Sequence, residues 1–576
     1  MTHLTRAARN LAFAAAIGLT FGGAATAQSS LSGAYLAGVD AAKQGDVESA
    51  ADYLSRALDF DPGNVELMAQ TLLYVAAAGR FEPSLDLANR LNVFDANQRI
   101  AGLVLAADEM KNGEFAAVRE RVKTTPEAFH PLVGAMLAAW AAKGEGDEAA
   151  GEAILETLDG RPIFRIFTLY HLGLMRHMNG DAEGAVQAYS RLANDLATPT
   201  GRVARAYAAA LIANGQPDAA REIYKNAGDA TAIGDRALEA EEAALEAGET
   251  PGLIVRTPAE GAAEAFYGLA AALGRDGDER LSLLYARIAT WLRPDLYEAK
   301  LLTAELLAAG GQSAAAVRAF ESIPPDSPLA RSAEIGRAEA LRSMDRNDEA
   351  VEALKALTRR APDAIDAQVA LGDLMRRTER FGEAAVAYDA AIKLMEQAGR
   401  PSWSLYYQRG ISYERSNEWE KAEADFLEAL KLEPDQPLVL NYLGYSWLEK
   451  GMRLEQAMEM IRKAVEQRPE DGYIVDSLGW GYYILGDFEN AAAELERAVE
   501  LQPVDPVLND HYGDALWRVG RRLEAEFQWR RALSFDPDEK SRARIHRKLD
   551  VGLDVVLAEE EAKAATKKPA SAANGD

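Results

Sequence analysis

The chain contains no cysteine. No disulfide can staple it, no thiolate can hold a structural zinc ion, and no lipid-modified cysteine can tether it to a membrane. Histidine is nearly as scarce. The six are His3, His130, His171, His177, His511 and His546, and none falls at an H-x-x-x-H or H-E-x-x-H spacing that would put two imidazoles on one helix face. No glycine-rich loop follows a run that reads as a strand, so a phosphate cradle is missing as well. Basic charge is in deficit: 63 Lys and Arg stand against 90 Asp and Glu, a formal net charge of −27 that repels nucleic acid and anionic membrane. Without a catalytic constellation the chain reads as a non-enzyme that uses no cofactor and no metal.

Long apolar runs are absent too, except at the start. Arg6 and Arg9 lead into Leu11–Ala25, followed by the small-residue site Ala25-Thr26-Ala27. The run holds Gly and Thr and is short for a spanning helix, so residues 1–27 read as a secretory signal cleaved after Ala27. An uncleaved anchor is the alternative. The expected product is periplasmic, with only indirect membrane association.

What the chain does have is a repeat. Between Trp403 and Pro537 one sentence recurs four times at the 34-residue period of a helix–turn–helix unit. In the first copy Trp403, Gly410, Tyr413, Ala422, Phe426, Ala429 and Pro434 stand at the marked offsets. Leu443, Gly444, Trp447, Ala457, Ala464 and Pro469 repeat them, then Leu478, Gly479, Tyr482, Ala491, Leu495, Ala498 and Pro503, then Gly513, Leu516, Ala525, Trp529, Ala532 and Pro537. Small residues recur where two helices approach most closely, large ones fill the space around them, and proline ends the second helix. One unit cannot bury its own apolar faces, so stability must come from stacking neighbours.

This pattern predicts an all-α fold, a right-handed solenoid superhelix of about fifteen stacked helical pairs. An N-terminal array is expected over 28–247, its pattern blurred across 65–165. An irregular linker or plug follows over 248–262, where Pro251 and Pro258 bound the apolar Leu253-Ile254-Val255. A central array over 263–402 and the regular array over 403–539 come next. The three- and four-residue spacing of Ile545, Leu549, Leu553 and Val556 predicts a capping helix over 540–558, and the Ala-, Lys- and Glu-rich stretch 559–576 reads as a disordered tail.

Function is then sought on the surface. The first helix of each unit should line the concave face, which puts Tyr407, Asn441, Tyr445, Tyr473, Asp476, Trp480, Tyr483, Asp510, Asp514 and Trp517 along one groove. Aromatic side chains of this kind bury much area at little entropic cost and mark a protein partner's site. Tyr445, Trp480, Tyr483 and Trp517 are expected to dominate it. Phe167, Tyr170, Leu174 and His177 offer a second, weaker patch. Arg521, Arg522, Arg530, Arg531, Arg544 and Arg547 form a basic stretch in an acidic chain, read either as a solvated face with local ion pairs or as a docking surface.

The repeats resemble the tetratricopeptide repeat family. More narrowly, Leu440-Asn-Tyr-Leu-Gly-Tyr-Ser-Trp447, Asp476-Ser-Leu-Gly-Trp480 and Gly513-Asp-Ala-Leu-Trp-Arg518 resemble a bacterial envelope subgroup. That subgroup includes an outer-membrane lipoprotein adaptor of a carboxyl-terminal processing protease. The resemblance implies a scaffold or adaptor that gathers a periplasmic protease and its substrates. The chain departs from it in lacking the lipobox cysteine. A structural scaffold for envelope or polysaccharide-export assembly is the alternative.

Overall fold

The computed structural model describes residues 30–159, 162–195, 201–229 and 236–567, so the expected signal segment and residues 568–576 lie outside it. Among the described residues there are thirty-one α-helices, one short 3-10 helix and no strand. All but Arg236–Glu246 follow one another as helix–turn–helix pairs, including the blurred region, where Val65–Ala77 is paired with Phe81–Phe94 and Arg99–Asn112 with Phe115–Thr124.

The local chemistry of each pair is that of the repeat. In Trp403–Arg415 with Trp419–Leu432, Ala422, Phe426 and Ala429 are wholly buried. A Cβ at Gly410 would lie 2.7 Å from the Phe426 ring, so only glycine lets that ring seat between the helices. Side chains then cap the helices: Asp46 accepts from the Ser49 N–H, Asn64 from Leu67 and Asp487 from Asn490.

Backbone contacts group the helices into two compact units, one reaching Pro362 and one starting at Asp363. The irregular segment expected at 248–262 therefore lies inside the first unit, and helix resumes at Pro258 rather than at 263. Ile254 and Val255 are buried, and Arg293 donates to the Ile254 carbonyl at 2.7 Å. This segment turns the chain back on itself. Helix Pro258–Asp276 packs on Arg99–Asn112, Pro131–Gly144 and Pro162–Met178, and helix Glu279–Leu292 packs on Val65–Ala77 and Arg99–Asn112. These are first helices of successive pairs, so the face expected to be an open groove in the N-terminal array is filled by the chain's own next pair.

Specific contacts fix the closure. Phe81 stacks on Trp291 at 4.4 Å between ring centroids, and Arg318 pairs with Glu48 at 2.6 Å. At its centre the fully buried Glu264 carboxylate is bracketed by Arg202, which also reaches Glu298, and by Arg293 at 3.4 Å. Desolvation would make such a charge costly, and the paired guanidinium groups offset it.

In the second unit the end of the chain differs from expectation. Where one capping helix and an unfolded tail were anticipated, two helices stand, Glu539–Val551 and Leu553–Lys567. Gly552 breaks them at φ 84°, a left-handed value that suits glycine. Leu553 and Val556 are buried, and the second helix is held by Glu559 and Glu560, which pair with Arg547 at 2.6 Å and Arg544 at 2.9 Å.

Candidate protein-binding groove

In the second unit the first helices Trp403–Arg415, Pro437–Glu449, Gly472–Ile484 and Pro506–Arg518 together line a groove of about 670 Å³. Its walls include Glu414, Asn441, Tyr445, Glu449, Tyr473 and Asp505, with Asp476 and His511 on one side. Tyr473 is the most open aromatic, 55% exposed, and its hydroxyl donates to Asp505 at 3.2 Å. Asp505 and, to a lesser degree, burial raise the Tyr473 phenol. Tyr445 is half-buried, and burial together with the nearby Glu449 carboxylate pushes its phenol well up. Both remain neutral hydrogen-bond donors at physiological pH.

Of the ten residues expected in the groove, Asn441, Tyr445, Tyr473 and Asp476 line it. Asp476 is already engaged, buried and 3.0 Å from His511 Nδ1. Tyr407 packs edge-on to Tyr442 at 5.8 Å, and burial pushes its phenol up to about 12. Trp480 stacks on Tyr483 at 4.6 Å and on His511 at 4.0 Å, while its indole N–H donates to Glu449 at 2.9 Å. It braces the groove from behind rather than offering a free face.

Asp510, Asp514 and Trp517 are not groove residues, because the two C-terminal helices cover them. Lys548, itself buried, reaches Asp510 at 2.8 Å and Asp514 at 2.5 Å. Trp517 donates to Asp554 at 3.0 Å and lies against Gly552. The sequence missed Glu449 and Asp505 as lining residues. Glu449 stands one helical turn beyond Tyr445, and that spacing was the available signal.

The second patch is also closed. Leu174 is buried, Tyr170 is held by Glu264 at 3.3 Å, and Phe167 lies beside Gly268 of helix Pro258–Asp276. His177 stays half-buried, its imidazole lowered by desolvation. The neighbouring His171 accepts from Trp140 at 3.1 Å, and burial drives it down to about 3.

The basic stretch is matched locally rather than left as a cationic face. Arg521 pairs with Glu524, Arg530 with Glu526 at 3.0 Å and Arg547 with Glu559. Arg531 donates to the Pro503 carbonyl at 3.0 Å, Arg522 lies 4.9 Å over Trp517, and Arg544 lies between Asp514 and Glu560. No group of three or more His, Cys, Asp or Glu among the described residues could hold a metal ion, and none of the described helices is long and apolar enough to cross a membrane.

Family models described as tetratricopeptide repeat match residues 335–399, 403–436 and 477–505. The TPR repeat-containing protein PA4667 of Pseudomonas aeruginosa is 33% identical over 111 residues, which is 19% of this chain and 19% of that protein. The BBSome complex member BBS4 of Bos taurus is 29% identical over 121 residues, 20% of this chain and 23% of that protein. The chain thus spans less than a quarter of the length of either relative. Among solved structures, the APC/C hetero-tetramer Cut9-Hcn1 aligns with 91% of this chain and 96% of its own at 13% identity and a TM-score of 0.38. By the matched sequence at 335–399, 403–436 and 477–505, and by the helix–turn–helix pairs those stretches form, this is a chain that carries tetratricopeptide repeats.

Proposed function

We propose that the chain is an exported, non-enzymatic scaffold that holds a protein partner in its C-terminal groove. One observation carries this reading. Among the described residues the first-helix faces of the early N-terminal pairs are filled by the chain's own later pair, and that of Pro506–Arg518 is covered in part by the C-terminal helices, whereas the groove around Asn441, Tyr445 and Tyr473 stays open. A concave, partly aromatic cleft backed by a braced layer of rings is suited to a short segment of another protein. That a relative is named as a complex member agrees with a partner-binding role.

The finer reading is that of an adaptor bringing substrates to a periplasmic processing protease. It is supported by the resemblance of 440–447, 476–480 and 513–518 to an envelope subgroup. Export is supported by the basic-then-apolar start of the sequence and its small-residue site.

Affinity capture from cells, comparing wild type with Tyr445→Ala/Tyr473→Ala, tests the groove. The double variant is expected to keep its helical circular dichroism and lose the captured partner, at about 2 kcal/mol per ring. Undiminished capture by the folded variant refutes the groove. Deleting the gene separates the finer readings: an adaptor's loss raises substrate levels, whereas a structural scaffold's loss does not.

A further inference from the structure

We propose that the partner segment seated in this groove is cationic, a short extended stretch whose Arg or Lys side chains enter among Glu414, Glu449 and Asp505. The proposal rests on the groove being the partner site, and it names the chemistry that site selects.

The three carboxylates share one arrangement on the groove wall. Glu414 accepts from the Tyr442 hydroxyl at 3.3 Å, Glu449 from the Trp480 indole at 2.9 Å, and Asp505 from the Tyr473 hydroxyl and from the Val507 and Leu508 N–H groups. Every one of these donors is neutral, and no Lys, Arg or His among the described residues forms an ion pair with any of the three. Several carboxylates elsewhere in the same unit do carry a counter-charge. Asp389 and Asp425 share Arg409, Glu423 faces Arg453, and Asp510 and Asp514 share Lys548. The two cationic side chains on the groove wall are turned to other partners: Lys450 lies 4.7 Å over the Trp419 ring, and His511 is committed to Asp476.

The groove is thus a place where the fold fixes the geometry of three negative charges and leaves them without counter-charge. An incoming acidic segment would meet like charge, while a guanidinium or ammonium would restore neutrality. Two further features suit such a ligand. The Asn441 carboxamide oxygen, on the groove wall, has no hydrogen-bond donor, and a turn of the side chain would present it to a ligand N–H. The exposed Tyr473 ring offers a π face to a cation, and the half-exposed Val507 offers an apolar contact beside it.

The test is selection from a display library of random peptides of about twelve residues, long enough to span the groove when extended. Wild-type full-length protein is the bait. Selected peptides are then titrated against Glu414→Gln/Glu449→Gln, in which each amide can still accept its aromatic hydrogen bond. Two further proteins serve beside it: Tyr445→Ala/Tyr473→Ala, and a charge control, Glu455→Gln/Glu489→Gln, whose two side chains are exposed on second helices.

The expected result is enrichment of peptides bearing Arg or Lys, with affinity falling about tenfold or more in Glu414→Gln/Glu449→Gln and little in the control. Equal losses in the control and groove variants would show diffuse attraction to an acidic chain and overturn the proposal. Enriched peptides without basic residues that still need Tyr445 and Tyr473 would overturn the cationic assignment and leave the groove standing. If no enriched peptide depends on either groove variant, both readings fall.

Discussion

Lys548→Met isolates the energetics of the C-terminal cover. Lys548 is 1% exposed, its ammonium bridges Asp510 and Asp514, and it lies 5.6 Å from the centre of the Trp529 ring. Methionine keeps the stem and most of the volume but withdraws the charge, leaving the wholly buried Asp514 with the Trp529 indole donor at 2.9 Å and Arg544, 3.3 Å away, as its one remaining cation. Removing one partner of a buried pair costs about 3–5 kcal/mol, and the remaining arginine puts this case near the lower end. In a repeat array a terminal unit opens separately from the rest, so the loss is local. Hydrogen exchange read by mass spectrometry over 506–551 is therefore the assay, and protection should fall by roughly a hundredfold at neutral pH.

The deficit should also depend on pH. Burial, and then Asp514, raise the Asp510 carboxyl above its usual value against the pull of Lys548. A carboxyl raised in the folded state favours folding when protonated, so it costs most at high pH, and the cost fades as pH falls through the raised folded value and is gone below the unfolded one. Without Lys548 the rise is larger. The gap between variant and wild type is expected to be widest near about pH 8 and to shrink toward about pH 4. Unchanged protection, or a gap that grows on acidification, would refute the reasoning.

Gly513→Leu should destabilise the last regular pair by about 1–3 kcal/mol or more, because its Cβ would lie 2.5 Å from the Trp529 ring; urea denaturation followed by fluorescence measures it. Glu264→Gln removes the carboxylate that Arg202 and Arg293 share and leaves them Glu298 and Asp295, so it costs about 3 kcal/mol, the lower end for a broken buried pair, and should speed proteolysis of the first unit while leaving 403–534 protected. For His511, burial opposes protonation but Asp476, Asp510 and Asp514 outweigh it, so the imidazole is raised from 6.5. Its pairing contributes fully below that value and is lost as pH climbs through the folded one, so the thermal midpoints of wild type and His511→Gln should converge as pH rises.

The helical pairs were legible because their determinants are local. Gly410 faces Phe426 and Gly513 faces Trp529 at the fixed offset the repeat demands, and proline or an αL residue marks each turn. The fate of the faces was not legible. Tyr170 and Tyr445 look alike on a helical wheel, yet one is sealed by Glu264 ninety-four residues on and the other borders an open groove. Periodicity specifies which side of a helix is apolar but carries nothing about which distant element covers it. Trp480 and Trp517 stand on first helices as the repeat predicts, but the neighbours on their rings were not legible, because His511 and Gly552 come from later turns of the chain.

The return of helices Pro258–Leu292 onto the early pairs changes how the first unit must fold. An open solenoid can grow from its starting end, each pair docking on the one before. Here Phe81 waits for Trp291, and Glu48 for Arg318, separations of over two hundred residues. The apolar wall of the early pairs therefore stays uncovered until the chain has been made well past the closing segment. The first unit is expected to close late, at an entropic cost that rises with the logarithm of the loop it must close, and a truncation before the closing helices would leave that wall bare.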